Sequence, residues 1–233
     1  MRLGSRKDEY YYMRYNLGMS QNDKVILLHC CCAPCTILPL ESLQRDGWQV
    51  ALYYYNPNIH PQEEYEHRLA VLKDFAEAQA VSLQVGAYDK ERWEEEVGVL
   101  GGPYPLIAKA GNFSQMEDAK RKRCRACYDL RFKTLASVGA AQGFQNLCTT
   151  LTISPYQFTR EVQDSLTASA AEQSREALAM DWSSLYPQSV QRSRELGMYR
   201  QNYCGCRYSV EEAMLERAAR KAERAADKRH AID

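Results

Sequence analysis

The chain is poor in histidine, net charge and long apolar runs, and each shortage excludes a class of protein. Its four histidines, His29, His60, His67 and His230, form no His-x-x-x-His pair, which sets aside a histidine-bound zinc enzyme built on one helix face. No apolar stretch reaches the ~18 residues of a membrane span. No apolar run follows a basic start, so no secretory leader is expected. Neither common glycine-rich phosphate cradle occurs, so ATP or a dinucleotide is not expected. The 30 basic and 30 acidic residues cancel, which argues against wholesale coating of nucleic acid but permits local phosphate-binding patches. There is no internal repeat, and 45% hydrophobic content over 233 residues is that of an ordinary globular chain.

Cysteine is what the chain has in abundance. Seven of its nine cysteines fall in three tight clusters: Cys31, Cys32 and Cys35; Cys124 and Cys127; Cys204 and Cys206. An odd total fits a pure disulfide scaffold poorly. In the cytoplasm, the expected compartment, clustered thiols bind metal or do catalysis. Seven converging thiolates exceed the four that one tetrahedral zinc needs, and iron–sulfur clusters use thiolates at such spacings. Cys30 and Cys148, each in or beside an apolar run, read as core residues. Gly205 lets the two thiols that flank it face one centre.

Alternating strands and helices predict an α/β fold with a mostly parallel sheet and flanking helices. Strands are expected at 25–29, 50–55, 81–85 and 146–150. Helices are expected at 36–46, 63–79, 90–97 and 124–142, with Pro39 tolerable only in a first turn and Gly47 as a stop. Residues 98–117 read as a loop, and Ser154-Pro155 opens another helical stretch. Residues 1–24 read as a possibly flexible N-terminal extension, 25–208 as the metal-binding domain and 209–233 as a charged terminal helix, a solvated face or packing arm. The first cysteine cluster directly follows the first strand. There the dipole of the next helix favours thiolate, and ligands of such sheets gather outside the carboxyl ends of the strands.

Other residues flank these motifs. The run Lys120, Arg121, Lys122 and Arg123 directly precedes the second cysteine pair, as a solvated loop or a contact for an anionic substrate. Asp89, Tyr128, Arg131, Tyr156 and Tyr203 adjoin the motifs, and tyrosines suit an RNA-handling cleft. His29 ends the first strand, either as a residue that orients a metal ligand or as a satisfied strand-end histidine.

The run His29–Cys35 resembles the signature of the cobalamin-independent epoxyqueuosine reductases of the QueH type. The resemblance continues through Tyr54–Pro61 with Glu64, Tyr65 and Arg68, through Cys124, Cys127, Tyr128 and Arg131, through Thr149–Tyr156, and through Tyr199–Cys206. The segment between Asp89 and Cys124 is longer than the family's usual pattern and lacks its Gly-Gly before the cysteine pair. The resemblance implies a HUP-type, Rossmann-like fold with the cysteine loop in place of the phosphate loop. It also implies a 4Fe–4S cluster with an additional mononuclear iron, for which zinc can substitute in purified protein. The implied substrate is tRNA carrying epoxyqueuosine at the wobble position. The implied reaction is removal of the epoxide oxygen to give queuosine, with electrons from an external donor. How the seven cysteines divide between cluster and iron stays open. Asp89 is the first candidate to protonate the departing oxygen, with Tyr128 and Tyr156 behind it. Lys120–Arg123, Arg131 and Tyr203 are the expected substrate contacts. A zinc-stabilised nucleic-acid-binding module, a thiol–disulfide oxidoreductase using Cys124 and Cys127, and an ATP-dependent tRNA-thiolating relative are the alternatives.

Overall fold

A computed structural model describes residues 24–101, 113–215 and 217–218; the proposed extension up to residue 23, and the far end of the terminal helix, lie outside them. Five parallel strands form one sheet in the order β3-β2-β1-β4-β5. They are β1 (Val25–His29), β2 (Gln49–Tyr54), β3 (Leu83–Val85), β4 (Asn146–Thr149) and β5 (Glu176–Ala177). Every residue of β1 is buried, because a central parallel strand is covered on both faces. Its side chains alternate between two cores. Ile26 and Leu28 pack with α1 (Ala33–Arg45) and α2 (Gln62–Ala78), while Val25 and Leu27 pack with Phe132, Leu135 and Leu166 on the opposite face.

The chain crosses from the β1-β2-β3 half to the β4-β5 half between β3 and β4, so the switch point lies between β1 and β4. Ligands of open α/β sheets bind at the carboxyl ends of the strands at such a point. Here those ends carry Cys31 after β1 and Thr150 after β4, and the Thr150 hydroxyl accepts from the Cys31 amide at 3.3 Å. The fold class is the one the strand–helix alternation predicts.

Several helices differ from their sequence-based bounds. α1 starts at Ala33, inside the cysteine motif, because Pro34 has no N–H to lose and suits a first turn. Cys35 therefore sits in the first turn, and Pro39, expected only in a first turn, lies inside the helix. There it withholds the bond that the Cys35 carbonyl would otherwise accept. After α3 (Lys90–Glu96), α4 runs from Phe113 to Gln142, so the basic run is helical and not part of a loop. The stretch after Ser154-Pro155 becomes helical at α5 (Thr159–Glu172), and α6 (Tyr186–Glu195) lies near the chain's end. The terminal helix is helical from 207 to 215, and its buried Ser209 and Glu212 face the protein interior, not solvent.

Candidate metal centre

Cys31, Cys32 and Cys35 bring their sulfurs within 4.8 Å of one another, and Cys31 Sγ lies 3.8 Å from Cys32 Sγ. A tetrahedral ion with thiolates at ~2.3 Å places them ~3.8 Å apart, so the triad has the spacing of one face of a single-ion site. Cys124 and Cys127 lie three residues apart on α4, hence on one helix face. With Cys204 and Cys206 they line a small cavity of about 20 Å3. A second cavity of about 360 Å3 touches both groups and is lined by Cys31 and Cys35 together with Cys124, Cys204 and Cys206. That volume lies within the ~300–1,000 Å3 of small-molecule sites.

The Cys204-Gly205-Cys206 loop is held by residues far away in sequence. Arg68, buried on α2, donates to the carbonyls of Cys204 at 2.9 Å and Tyr203 at 3.3 Å, and pairs with Glu64 at 2.7 Å. The Gly205 carbonyl accepts from His60 N–H at 2.9 Å, and its amide donates to Ser209 Oγ at 3.1 Å. Gly205 has φ +130°, and an added Cβ would lie 2.9 Å from Ile59 Cγ1. Only glycine fits there without strain.

Side-chain N–H groups point at sulfurs of all three motifs: Gln201 to Cys32 at 2.8 Å, Trp93 to Cys127 at 3.4 Å and Gln157 to Cys204 at 3.5 Å. Cys31 is held well below the usual thiol range by hydrogen bonds from Cys32 and Cys35, with Thr150 and Arg131 assisting against burial. Cys32 is pushed up to about 12, chiefly by its bond to Cys31. One thiolate therefore forms readily in the triad, and further ionisation waits for a cation that displaces the remaining protons. Burial raises Cys124 and Cys127, and raises Cys206 to about 12, with Arg123 opposing at Cys124 and Cys206 and Arg131 at Cys127.

Arg131 is 1% exposed and lines both cavities. It donates to Asn56 Oδ1, while its Nε has no hydrogen-bond partner, and no carboxylate pairs with it among the described residues. A buried guanidinium without an acidic partner is costly, unless the sulfurs around it carry the compensating charge. Six cations line the larger cavity, Arg68, Lys120, Arg123, Arg131, Arg200 and Arg217, against one carboxylate among the described residues, Glu212. Soft thiolate donors with a buried cation among them fit thiolate-bound metal.

The basic run splits around its helix. Lys120 and Arg123, three residues apart, face the cavity and Glu212, from which Lys120 Nζ lies 3.8 Å; Arg123 is buried against it. Arg121 turns toward α5, where it pairs with Glu161 and stacks 4.3 Å over Phe158. Lys122 is exposed and lines neither cavity. Asp89 accepts from Tyr55 at 3.1 Å and also lines neither cavity. Tyr128 is buried, its hydroxyl engaged with Gln157 at 2.8 Å. Tyr156, 46% exposed, lines the larger cavity beside Tyr186, and Tyr203 also lines it, its hydroxyl donating to the His60 carbonyl. Cys30 and Cys148 are buried core residues.

Sequence reasoning assigned no role to Arg200, Gln157, Gln201, Glu212 or Trp93. Gln201 sits two residues from Tyr203 and Gln157 one from Tyr156, but nothing local tells an amide aimed at sulfur from one in solvent. His29 is the satisfied strand-end residue: Nε2 donates to the Tyr55 carbonyl at 3.2 Å and Nδ1 accepts from Thr149 Oγ1 at 3.0 Å. Burial, and secondarily Arg131, lowers it to about 3.

A parallel α/β sheet that gathers thiols at its switch point defines a Rossmann-like domain whose Cys31, Cys32 and Cys35 could hold a metal ion. Residues 26–212 match the family model described as Epoxyqueuosine reductase QueH, and the chain belongs to that family of oxidoreductases. It is 32% identical over 187 residues to Epoxyqueuosine reductase QueH of Dehalococcoides mccartyi, covering 80% of this chain and 93% of that protein. It is 29% identical to the protein of the same name from Histophilus somni, over 89% of this chain and 81% of that one. For Thermotoga maritima the figures are 27%, 85% and 94%. A solved structure from Methanocaldococcus jannaschii, described as a predicted subunit of tRNA methyltransferase, superposes over 73% of this chain and 74% of that one, at TM-score 0.45 and 11% identity. No helix among the described residues is long and apolar enough to cross a membrane.

Proposed function

We propose that this chain is a cytoplasmic iron–sulfur enzyme that converts epoxyqueuosine in tRNA to queuosine, consuming two electrons from an external donor and two protons, and releasing the epoxide oxygen as water. The observation that carries the reading is the convergence of three separate cysteine motifs on one cation-lined cavity. We assign Cys124, Cys127, Cys204 and Cys206 to a 4Fe–4S cluster, which takes four thiolates. We assign Cys31, Cys32 and Cys35 to a single iron, for which three ligands leave an open position. When bound, these centres supply single-electron steps and a Lewis acid for the epoxide oxygen.

The residues of the chain do the rest. The cavity admits one nucleotide, so the modified base leaves its stack to enter. Tyr156 and Tyr203 offer aromatic faces to it. Lys120, Arg200 and Arg217 meet the neighbouring phosphates, whereas Arg121 and Lys122, on other faces of α4, do not. Arg131 and Arg123 neutralise thiolates within the wall. Of the three proton-donor candidates, Tyr156 is the one we retain: it lines the larger cavity, whereas Asp89 and Tyr128 do not.

Iron and acid-labile sulfide, measured in protein prepared without oxygen, test the reading together with turnover of epoxyqueuosine-tRNA under a chemical reductant. About five irons and four sulfides per chain are expected, with turnover lowered in Tyr156→Phe and unchanged in Asp89→Asn. One zinc and no sulfide in protein never exposed to air would instead support a binding module.

A further inference from the structure

We propose that Gln157 and Tyr128 form a relay that fixes an N–H group on Cys204 and so tunes the electron affinity of the four-thiol centre; this rests on the iron–sulfur reading above. The hydrogen bonds leave one consistent orientation. The amide of Phe158 can only donate, and it reaches Tyr128 Oη at 3.4 Å. The phenol hydrogen then goes to Gln157 Oε1, 2.8 Å away. That bond makes the oxygen of the Gln157 amide face Tyr128, leaving Nε2 to face Cys204 Sγ at 3.5 Å. Tyr128 is 1% exposed and so has no water to exchange this bond with. Cys204, in contrast, is the one exposed thiol of the nine.

An N–H dipole on a thiolate stabilises the more negative, reduced state over the oxidised one, and hydrogen bonds to sulfur are among the determinants of cluster potential. Gln157 is thus the group that touches the ligand. Tyr128, a candidate proton donor by sequence, is a positioning residue that acts through Gln157.

The test uses the full chain, loaded without oxygen, with iron and sulfide counted for the parent, Gln157→Leu, Gln157→Glu and Tyr128→Phe. Each is titrated potentiometrically, with the reduced centre followed by paramagnetic resonance. The midpoint is expected to move to more negative values in all three variants: most in Gln157→Glu, which sets a carboxylate oxygen against the sulfur, and least in Tyr128→Phe, which only frees the amide to turn. The double variant Tyr128→Phe/Gln157→Leu should match Gln157→Leu alone, since both changes act through one bond. An unchanged midpoint in fully loaded Gln157→Leu overturns the assignment, as does an additive double variant. If Gln157→Leu does not retain iron, Tyr128→Phe carries the test, and a midpoint equal to the parent's overturns it. A parent chain without sulfide would refute the iron–sulfur reading itself, and the relay with it, and is told apart from the other outcomes by the sulfide count alone.

Discussion

Replacing Arg131 with methionine should have opposite effects on the metal-free and metal-loaded protein. In the metal-free chain the guanidinium is buried, has an unpartnered Nε and lacks a carboxylate partner among the described residues. An unsatisfied buried donor costs about 1–3 kcal/mol, and a buried charge is costly unless it is balanced, which in the metal-free chain falls chiefly to the Cys31 thiolate. Against this stands the bond to Asn56, worth about 1 kcal/mol. Methionine fills much of the volume and carries no charge, so the metal-free variant should gain about 1–2 kcal/mol. For a chain of this size that is a rise in Tm of roughly 3–6 °C.

Loading reverses the sign. A thiolate ~4 Å from a cation is stabilised by about 4 kcal/mol at an effective dielectric constant of ~20, roughly a thousandfold in metal affinity. Screening and relaxation bring the expected loss to about 100–1,000-fold, read by competition with a chelator. Arg131→Lys, which keeps the charge, should retain most of the iron. If metal-free Arg131→Met melts several degrees below the parent, the guanidinium is a packing element and the counter-ion argument fails. If iron is held as tightly as before, the thiols do not depend on it.

Three other outcomes follow from the same geometry. His29, lowered to about 3 by burial, binds protons more readily unfolded, where it titrates near 6.5; its contribution is complete above 6.5 and is lost as pH falls toward about 3. At 1.36 kcal/mol per unit this amounts to at most about 5 kcal/mol, so His29→Gln should flatten acid unfolding between pH 6 and 4, as followed by circular dichroism. Gly205→Ala, at φ +130° with Ile59 Cγ1 2.9 Å from the new Cβ, should cost about 2 kcal/mol or more and lower iron content more than Gly197→Ala, a positive-φ glycine in open space. Arg200→Gln/Arg217→Gln should weaken tRNA binding and reduce its log–log salt slope by about 1.4, at ~0.7 per single-strand phosphate. Lys122→Gln should leave both affinity and slope unchanged, and an equal loss there would return the basic run to the interface as a block.

How much of this was legible in the sequence depends on whether the signal was local. β1 reads as a strand because a central parallel strand needs an unbroken apolar run, and α2 because its apolar residues keep helical spacing. The first eleven residues of α4 carry no apolar period. Arg121 with Glu161 and Arg123 with Glu212 hold that region, and those partners lie too far away in sequence for periodicity to report. β5 has two residues at the sheet edge and leaves no pattern. The three cysteine motifs were visible because thiols at tight spacing are chemically unusual wherever they occur. Which of them adjoin was not, since it depends on where α4 and the 204–206 loop meet.

Net charge was the least informative quantity in the sequence, and the fold shows why. Three of the cavity's six cations have an acidic partner among the described residues: Glu64, outside the lining, pairs with Arg68 at 2.7 Å from within α2, and Glu212, itself a lining residue, is buried against Arg123 and Lys120. A carboxylate that holds a cation from behind cancels its charge in the total, yet leaves N–H groups aimed forward. Arg68 uses two of these on the Tyr203 and Cys204 carbonyls. Arg68 is thus neutralised from outside the cavity while its other N–H groups hold the thiol-bearing loop, and Arg131 has no acid beside it among the described residues. A neutral chain can therefore present a cation-rich wall, because six cations line the cavity against one carboxylate among the described residues and the other acids stand elsewhere.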